Sequence, residues 1–243
     1  MEHGNTSWFR DSFADEYRVV YHHRDENEAR IVADLIRSRI TCAQGGPALD
    51  VACGAGRHLR FFTDYRWTVG LDLSAPLLRM ARNANPDALL VMADMRTLPF
   101  RSGVFSLVVN LFTSFGYFSD DEQNRQVIAE IARVIARNGW FVLDFFNAVQ
   151  VRRMLVRFDR RQIGSIVVEQ RREISADGRY IRKDINFVGA GRTIHERVRL
   201  FELRDLLAML HDYGFRVTEV FGDYSGGPIT TNSPRAILIG QRL

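Results

Sequence analysis

The sequence predicts an α/β domain: a doubly wound, mostly parallel sheet of seven strands, with an antiparallel β appendage inserted late in the chain. Three observations carry this. Short apolar runs alternate with amphipathic helical patterns from residue 48 to residue 147, as βαβ units do. The first run, Ala48-Leu-Asp-Val-Ala52, passes through Cys53-Gly54-Ala-Gly56 into a helical pattern begun by Arg57 and His58. Strand, glycine turn and helix in that order let bare backbone N–H groups approach a ligand closely. After residue 165 the alternation gives way to strand-like runs separated by Asp177-Gly178 and Gly189-Ala-Gly191, which are hairpin and turn signals.

Composition bounds the rest. At 243 residues, 46% hydrophobic and 26% charged, the chain suits one globular domain with a sizeable core. Two cysteines, Cys42 and Cys53, exclude a disulfide framework and point to a reduced, cytoplasmic setting. The N-terminal residues carry Glu2, Arg10, Asp11, Asp15 and Glu16 without an apolar segment, so no signal peptide is expected. The longest apolar stretch, residues 104–118, is broken by Ser106, Asn110 and Gly116 and reads as strand and loop, not a membrane span. A net charge of +4 leaves a polyanionic partner open. The arginines are scattered among acids, densest at Arg152-Arg153, Arg157, Arg160-Arg161 and Arg171-Arg172, and a solvated face is the simpler reading.

Taken in order, residues 1–45 read as helical and amphipathic, with Ile31, Val32, Leu35 and Ile36 on one face. Gly45-Gly46-Pro47 turns the chain into the first strand, and a second run ends at Asp72. Ser74 with Pro76 starts a helix that Asn85-Pro86 stops. Residues 88–94 form a third strand ending in Asp94, and residues 104–112 a fourth. Ser119-Asp-Asp-Glu122 reads as a capping box, and Arg137-Asn138-Gly139 as the end of that helix. Residues 139–147 make the fifth strand. Three strand-like runs follow, at 166–175, 179–188 and 193–201. A helix over 203–213, closed by Gly214, and an antiparallel pair at 216–224 and 234–242 complete the chain.

The acids at the strand ends define the expected ligand. In a doubly wound sheet Asp72 falls beside the glycine turn, where it can accept both hydroxyls of a ribose. A nucleoside-containing ligand is therefore expected. A dinucleotide fingerprint is incomplete, because the sixth place counted from Gly54 is Leu59, which disfavours a nicotinamide oxidoreductase. His22-His23 have no carboxylate or thiolate partner at ligand spacing, so no metal site is expected.

The run from Asp50 to Gly56 followed by Asp72 resembles the nucleotide loop of class I S-adenosylmethionine-dependent methyltransferases, with Ala52 where the family usually has its first glycine. Asn110-Leu-Phe-Thr-Ser-Phe-Gly-Tyr-Phe118 resembles the small-molecule branch holding sugar-amine N,N-dimethyltransferases and glycine-type N-methyltransferases. The resemblance implies a Rossmann-like fold that binds S-adenosyl-L-methionine and releases S-adenosyl-L-homocysteine, with methyl transfer to an N or O atom of a small-molecule acceptor. It divides a single domain into a helical lid (1–45), a cofactor-binding core (46–147), an antiparallel insertion (148–201) and a C-terminal helix and strand pair (202–243).

Residue roles follow from the same resemblance. Cofactor contacts fall to Tyr21 and Arg24 of the lid, to Asp50, Ala52, Cys53, Gly54, Gly56 and Arg57 of the loop, to Asp72 and Leu73, to Asp94 and Met95 around the adenine, and to Asn110 and Leu111 beside the methionine moiety. Tyr21, Tyr117 and His195 are the catalytic candidates; Tyr224 is a further polar group to place near the methyl. Arg182, His195 and Arg197 could read a polar acceptor. Competing readings stand beside these: Tyr21 capping the core, Asp94 serving as a helix cap, and the appendage arginines forming an ordinary exposed face. Two other functions remain open, an RNA-modifying methyltransferase and a non-catalytic S-adenosylmethionine-binding regulator. The Asn110-Leu-Phe sequence, where amino-methylating nucleic-acid enzymes have Pro-Pro, and the lack of cysteine after Cys53 argue against nucleic acid. A monomer or a homodimer fits equally.

Overall fold

The computed structural model describes residues 26–40 and 45–243. Its centre is a seven-stranded sheet in the order β10-β11-β5-β4-β1-β2-β3, and a separate four-stranded sheet runs β6-β7-β8-β9. The central strands are β1 (Ala48–Val51), β2 (Thr68–Asp72), β3 (Leu89–Met92), β4 (Phe105–Asn110), β5 (Ile135–Phe146), β10 (Phe215–Phe221) and β11 (Arg235–Arg242). β1, β2, β3, β4 and β5 pair in parallel, while β11 runs antiparallel to both β5 and β10.

Alternation along the strands decides which face each side chain joins. Leu107, Val109 and Leu111 join Val142, Ile237 and Ile239 under α1 (Glu26–Arg39), which contributes Val32, Leu35 and Ile36. Val108, Phe141 and Leu143 point the other way, into the larger cluster with Val127, Ile128 and Ile131 of α3 (Asp121–Val134) and Leu206, Met209 and Leu210 of α5 (Leu203–Asp212). The described part of the expected lid therefore packs on a sheet face as core. Ile31, expected on that apolar face, is exposed; Ala29 and Ala33 take the buried positions instead.

The structure moves several expected boundaries. The helix after the glycine turn is one 3₁₀ turn, Leu59–Phe61. The chain has no room for more, because Arg66 N already bonds Gly46 O at 3.0 Å and the next strand begins at Thr68. The cap of α3 is Asp120, not Ser119, and accepts from Glu122 N at 3.0 Å. That helix ends at Val134 and runs straight into β5. Gly139 lies within β5, where an added Cβ would meet Ile135 Cγ2 at 2.7 Å and Ala136 O at 2.8 Å. The β4–β5 register shifts there, between Phe105 and Leu107, so these residues make a bulge and not a helix stop.

α2 (Ala75–Ala84) starts as expected, with Ser74 Oγ accepting from Leu77 N at 3.3 Å. The appendage holds four strands, not three. A strand β6 (Phe158–Ile163) precedes β7 (Ile166–Ile174), β8 (Tyr180–Val188) and β9 (Arg192–Arg199), after a short α4 (Ala148–Arg153). β6 lies in the arginine-rich zone, and its outer-edge residues are mostly exposed, so no apolar alternation announces it. Among the described residues no helix is long and apolar enough to cross a membrane.

Candidate active site

The carboxyl ends of β1, β2, β3 and β4 meet where the strand order reverses, the place at which open α/β sheets bind ligands. The loop after β1 takes three left-handed residues, Ala52 (φ 60°), Gly54 (φ 55°) and Gly56 (φ 76°). At Gly56 a Cβ would meet Asn85 Nδ2 at 2.8 Å and Ala81 Cβ at 2.9 Å. Asn85, which ends α2, donates to Gly56 O at 3.0 Å and ties the loop to that helix. Gly54 differs: a Cβ there would meet nothing closer than Leu77 Cδ1 at 3.9 Å. Gly56 is glycine for packing, whereas Gly54 faces open space in the cleft. Ala52 carries its Cβ in a conformation that L-residues rarely adopt, so the departure from glycine strains the backbone rather than merely narrowing the loop.

Two acids lie under this loop. Asp72 Oδ2 accepts from Gly54 N and Oδ1 from Ser74 N, both at 2.8 Å. Burial still pushes its carboxyl up, against those backbone bonds. Asp50 is 2% exposed. Burial, then repulsion from Asp72, pushes its pKa up to about 8, with Arg57 opposing. Asp50 Oδ2 finds no hydrogen-bond partner among the described residues; His58 Nδ1 stands 3.9 Å away.

Above the loop is a cleft open to solvent on one side. Leu71, Leu73, Met95 and Phe118 supply apolar walls, and Asp72 and Asp94 supply acceptors. Arg96 fixes Asp94 through Nη2 at 2.6 Å and Nε at 3.0 Å. Its guanidinium also lies 4.5 Å from the Phe118 ring centroid. Asp94 Oδ1 also accepts from Arg96 N at 2.9 Å, so the backbone and guanidinium of one residue together orient this carboxylate on the cavity wall.

The far wall is the loop after β4, which places Ser114 and Tyr117 on the cavity. The loop opens with two successive left-handed residues, Phe112 (φ 59°) and Thr113 (φ 62°). Asp144 of β5 accepts from Phe112 N at 2.8 Å through Oδ2, and its carbonyl accepts from Thr113 N at 2.9 Å. Arg235 Nε donates to Asp144 Oδ1 at 2.7 Å and Tyr224 OH to Asp144 Oδ2 at 2.8 Å. Burial and the neighbouring carboxylate push the Tyr224 hydroxyl pKa up, so it stays a proton donor. At its other end the loop meets the appendage. Arg199 N bonds Gly116 O at 2.8 Å, and Arg199 and Arg179 both reach Asp121, which holds that carboxyl below the usual range despite partial burial.

The expected site residues divide into three groups. Ala52, Gly54, Asp72, Leu73, Asp94, Met95 and Tyr117 line the cavity. Asp50, Cys53, Gly56, Arg57, Asn110 and Leu111 shape it from outside. Cys53 packs beneath the loop with Leu59 and Leu78, its thiol pKa raised by burial. Arg57 pairs with Glu28 of α1 at 2.8 Å and lies 4.4 Å from the Phe112 ring centroid. Asn110 is buried, donating to Val51 O at 3.0 Å, and Leu111 belongs to the cluster under α1. His195 does not line the cavity; it is exposed on β9 and bonded to Asp184 at 2.7 Å. Arg182 and Arg197 also lie on the appendage; Arg182 pairs with Glu173 at 3.4 Å and Arg197 stacks on Tyr180. Tyr21 and Arg24 fall outside the described residues. Sequence reading missed Ser114, Phe118, Asp144 and Arg235. The signal for Asp144 was present, a lone acid inside Trp140-Phe-Val-Leu-Asp-Phe-Phe146.

A family model described as a methyltransferase domain matches residues 48–139. Over 239 residues the chain is 32% identical to the dTDP-3-amino-3,4,6-trideoxy-alpha-D-glucopyranose N,N-dimethyltransferase of Streptomyces venezuelae, covering 91% of this chain and 97% of that one. This chain is a class I S-adenosylmethionine-dependent methyltransferase. The dTDP-3-amino-3,6-dideoxy-alpha-D-glucopyranose N,N-dimethyltransferase of Streptomyces fradiae is 29% identical over 238 residues, 92% of this methyltransferase and 91% of the relative. The crystal structure of an S-adenosylmethionine-dependent methyltransferase from Clostridium acetobutylicum shares the fold at a TM-score of 0.81 and 16% identity, covering 93% and 96% of the two chains.

The site of this methyltransferase fits S-adenosylmethionine. Gly54 leaves a cradle that a side chain would fill, Asp50 Oδ2 is an unmatched buried acceptor, and the apolar walls meet an acid at Asp94. Asp72, Asp94 and Met95 stand together on the wall of this one cavity. The bound cofactor supplies a methyl group on a cationic sulfur; the chain's own residues align, desolvate and enclose it.

Proposed function

We propose that this methyltransferase acts on the amino nitrogen of a nucleotide-linked amino sugar, placing one methyl or two in succession. The observation that supports this most is the reach of the likeness. The relatives named for dTDP-3-amino sugars align over more than nine-tenths of the chain. A shared cofactor half would account for only the first 147 residues.

In this reading the acceptor enters beside the loop after β4. Ser114 and Tyr117 present hydroxyls to the sugar, and the amine lone pair lines up behind the methyl carbon. In-line displacement depends chiefly on that alignment, and holding the partners in place supplies much of the rate. An amine that arrives neutral needs no strong base, and His195 has no part in this reading. Tyr21 and Arg24 belong to a segment proposed to cover the methionine end of the cofactor.

The test is direct. Purified protein is supplied with S-adenosylmethionine and a panel of dTDP-amino sugars, free amino sugars, glycine and transfer RNA, and products are followed by mass spectrometry. Methyl addition to the nucleotide-linked amino sugars, with none to glycine or RNA, supports the reading. Turnover confined to another acceptor class would replace it.

A further inference from the structure

The loop that borders the acceptor begins with a conformation its own residues do not favour. Phe112 and Thr113 are successive non-glycine residues at positive φ, and an L-residue adopts that region at a backbone cost. Something outside the loop must hold it. The groups that do so come from β5 and β11. Asp144, 1% exposed, accepts from Phe112 N with its side chain and from Thr113 N with its carbonyl. Arg235 locks that carboxylate through Nε at 2.7 Å, and its Nη2 donates to Thr113 Oγ1 at 3.1 Å. The Phe112 ring lies near two guanidinium groups, with centroid distances of 4.4 Å to Arg57 and 5.3 Å to Arg235.

A buried ion pair is poor evidence of stability by itself, since desolvation offsets much of its attraction. Here the pair is spent on geometry. Every hydrogen bond it makes to the loop falls on the left-handed residues, immediately before Ser114 and Tyr117. The cofactor side of the cavity is held separately, by Asp72 and Asn85. We propose that Asp144 and Arg235 are positioning residues for methyl transfer: their ion pair holds the Phe112-Thr113 turn and thereby fixes where Ser114 and Tyr117 meet the acceptor. This rests on the reading above that the loop borders the acceptor.

The proposal separates two properties that a general structural role would move together. Asp144→Asn keeps an oxygen acceptor and loses the charge; Arg235→Lys keeps the charge and loses the planar fork. Each variant is measured by S-adenosylmethionine calorimetry, by kcat and acceptor KM with whichever acceptor the parent turns over, and by amide hydrogen exchange. In folded variants we expect faster exchange at Phe112 and Thr113, unchanged cofactor affinity, and kcat lower by on the order of 10–100-fold. Exchange at the glycine loop should stay as in the parent. Unchanged exchange at Phe112, or kcat and cofactor affinity falling in parallel, would overturn it. Should either variant fail to fold, Thr113→Val removes the bond from Arg235 Nη2 to the turn and leaves both members of the pair in place. A smaller loss of kcat with faster exchange at Phe112 supports the proposal, and silence in both overturns it. The exchange result does not depend on the acceptor, so failure of the amino-sugar reading would show separately, as a parent enzyme inactive on those sugars.

Discussion

Gly54 N donates to Asp72 Oδ2 at 2.8 Å, which joins the loop leaving one strand to the end of its neighbour. The same carboxylate accepts from Ser74 N, at the cap of α2. Strand end, glycine loop and helix start are thus fixed by one side chain that also lines the cavity.

Asp72→Ala should therefore lose more than a contact to ribose. Two hydrogen bonds to a charged acceptor disappear, each worth about 1.5–3 kcal/mol, and the loop is freed. We expect S-adenosylmethionine affinity to fall at least tenfold, by on the order of 1.4 kcal/mol or more, measured by titration calorimetry. Undiminished affinity would remove Asp72 from the site.

Asp50 makes the stability of the ligand-free protein depend on pH in a defined direction. Its folded pKa is raised from 3.8 to about 8, so in that window the folded state retains a proton that the unfolded chain releases. The stability this contributes is fully present below pH 3.8 and is lost as pH rises to about 8. Thermal melts should show this decline, and Asp50→Asn should flatten it and melt higher than the parent above pH 8. Equal melting of the two proteins at alkaline pH would contradict the burial of an unmatched carboxyl.

The two loop glycines should respond oppositely to alanine. Gly56→Ala meets Asn85 and Ala81 below 3.0 Å on top of its own left-handed backbone cost and should destabilise the fold by about 2–5 kcal/mol. Gly54→Ala meets no close atom, so the protein should fold with only the backbone cost of a left-handed alanine, about 1–2 kcal/mol. Its cofactor binding should be the casualty. Melting curves and calorimetry on the pair separate packing from ligand clearance.

Ala52→Gly tests the strain at the first turn residue. Relief of a positive φ gains about 1–2 kcal/mol and the added chain entropy of glycine costs about 0.5–1 kcal/mol. A net gain of up to about 1.5 kcal/mol in stability is expected, with cofactor affinity maintained. Chemical denaturation reads the difference. A destabilised glycine variant would show that the Ala52 methyl does packing work in the wall.

Much of the cofactor half was legible because it is local. An apolar run, a glycine turn and an acid at the next strand end lie within 25 residues of each other, and the glycines mark backbone that no other residue adopts cheaply. That order alone marked Gly54 and Asp72, which the structure brings onto one cavity. What a strand-end amide such as Asn110 bonds within the protein was not legible, because its donation to Val51 O crosses the sheet to a residue 59 positions away. His195 was named for its chemistry, yet β9 presents it to solvent beside Asp184.

The sequence by itself determined the alternating core, the turns of the appendage and the acids at the strand ends, since periodicity and turn chemistry are properties of neighbouring residues. Only the tertiary structure decided that β11 inserts beside β5, which brings Arg235 to Asp144 across 91 residues and sets the turn before Tyr117. A strand's place in a sheet depends on partners distant in sequence, and no local pattern encodes which partner it will find.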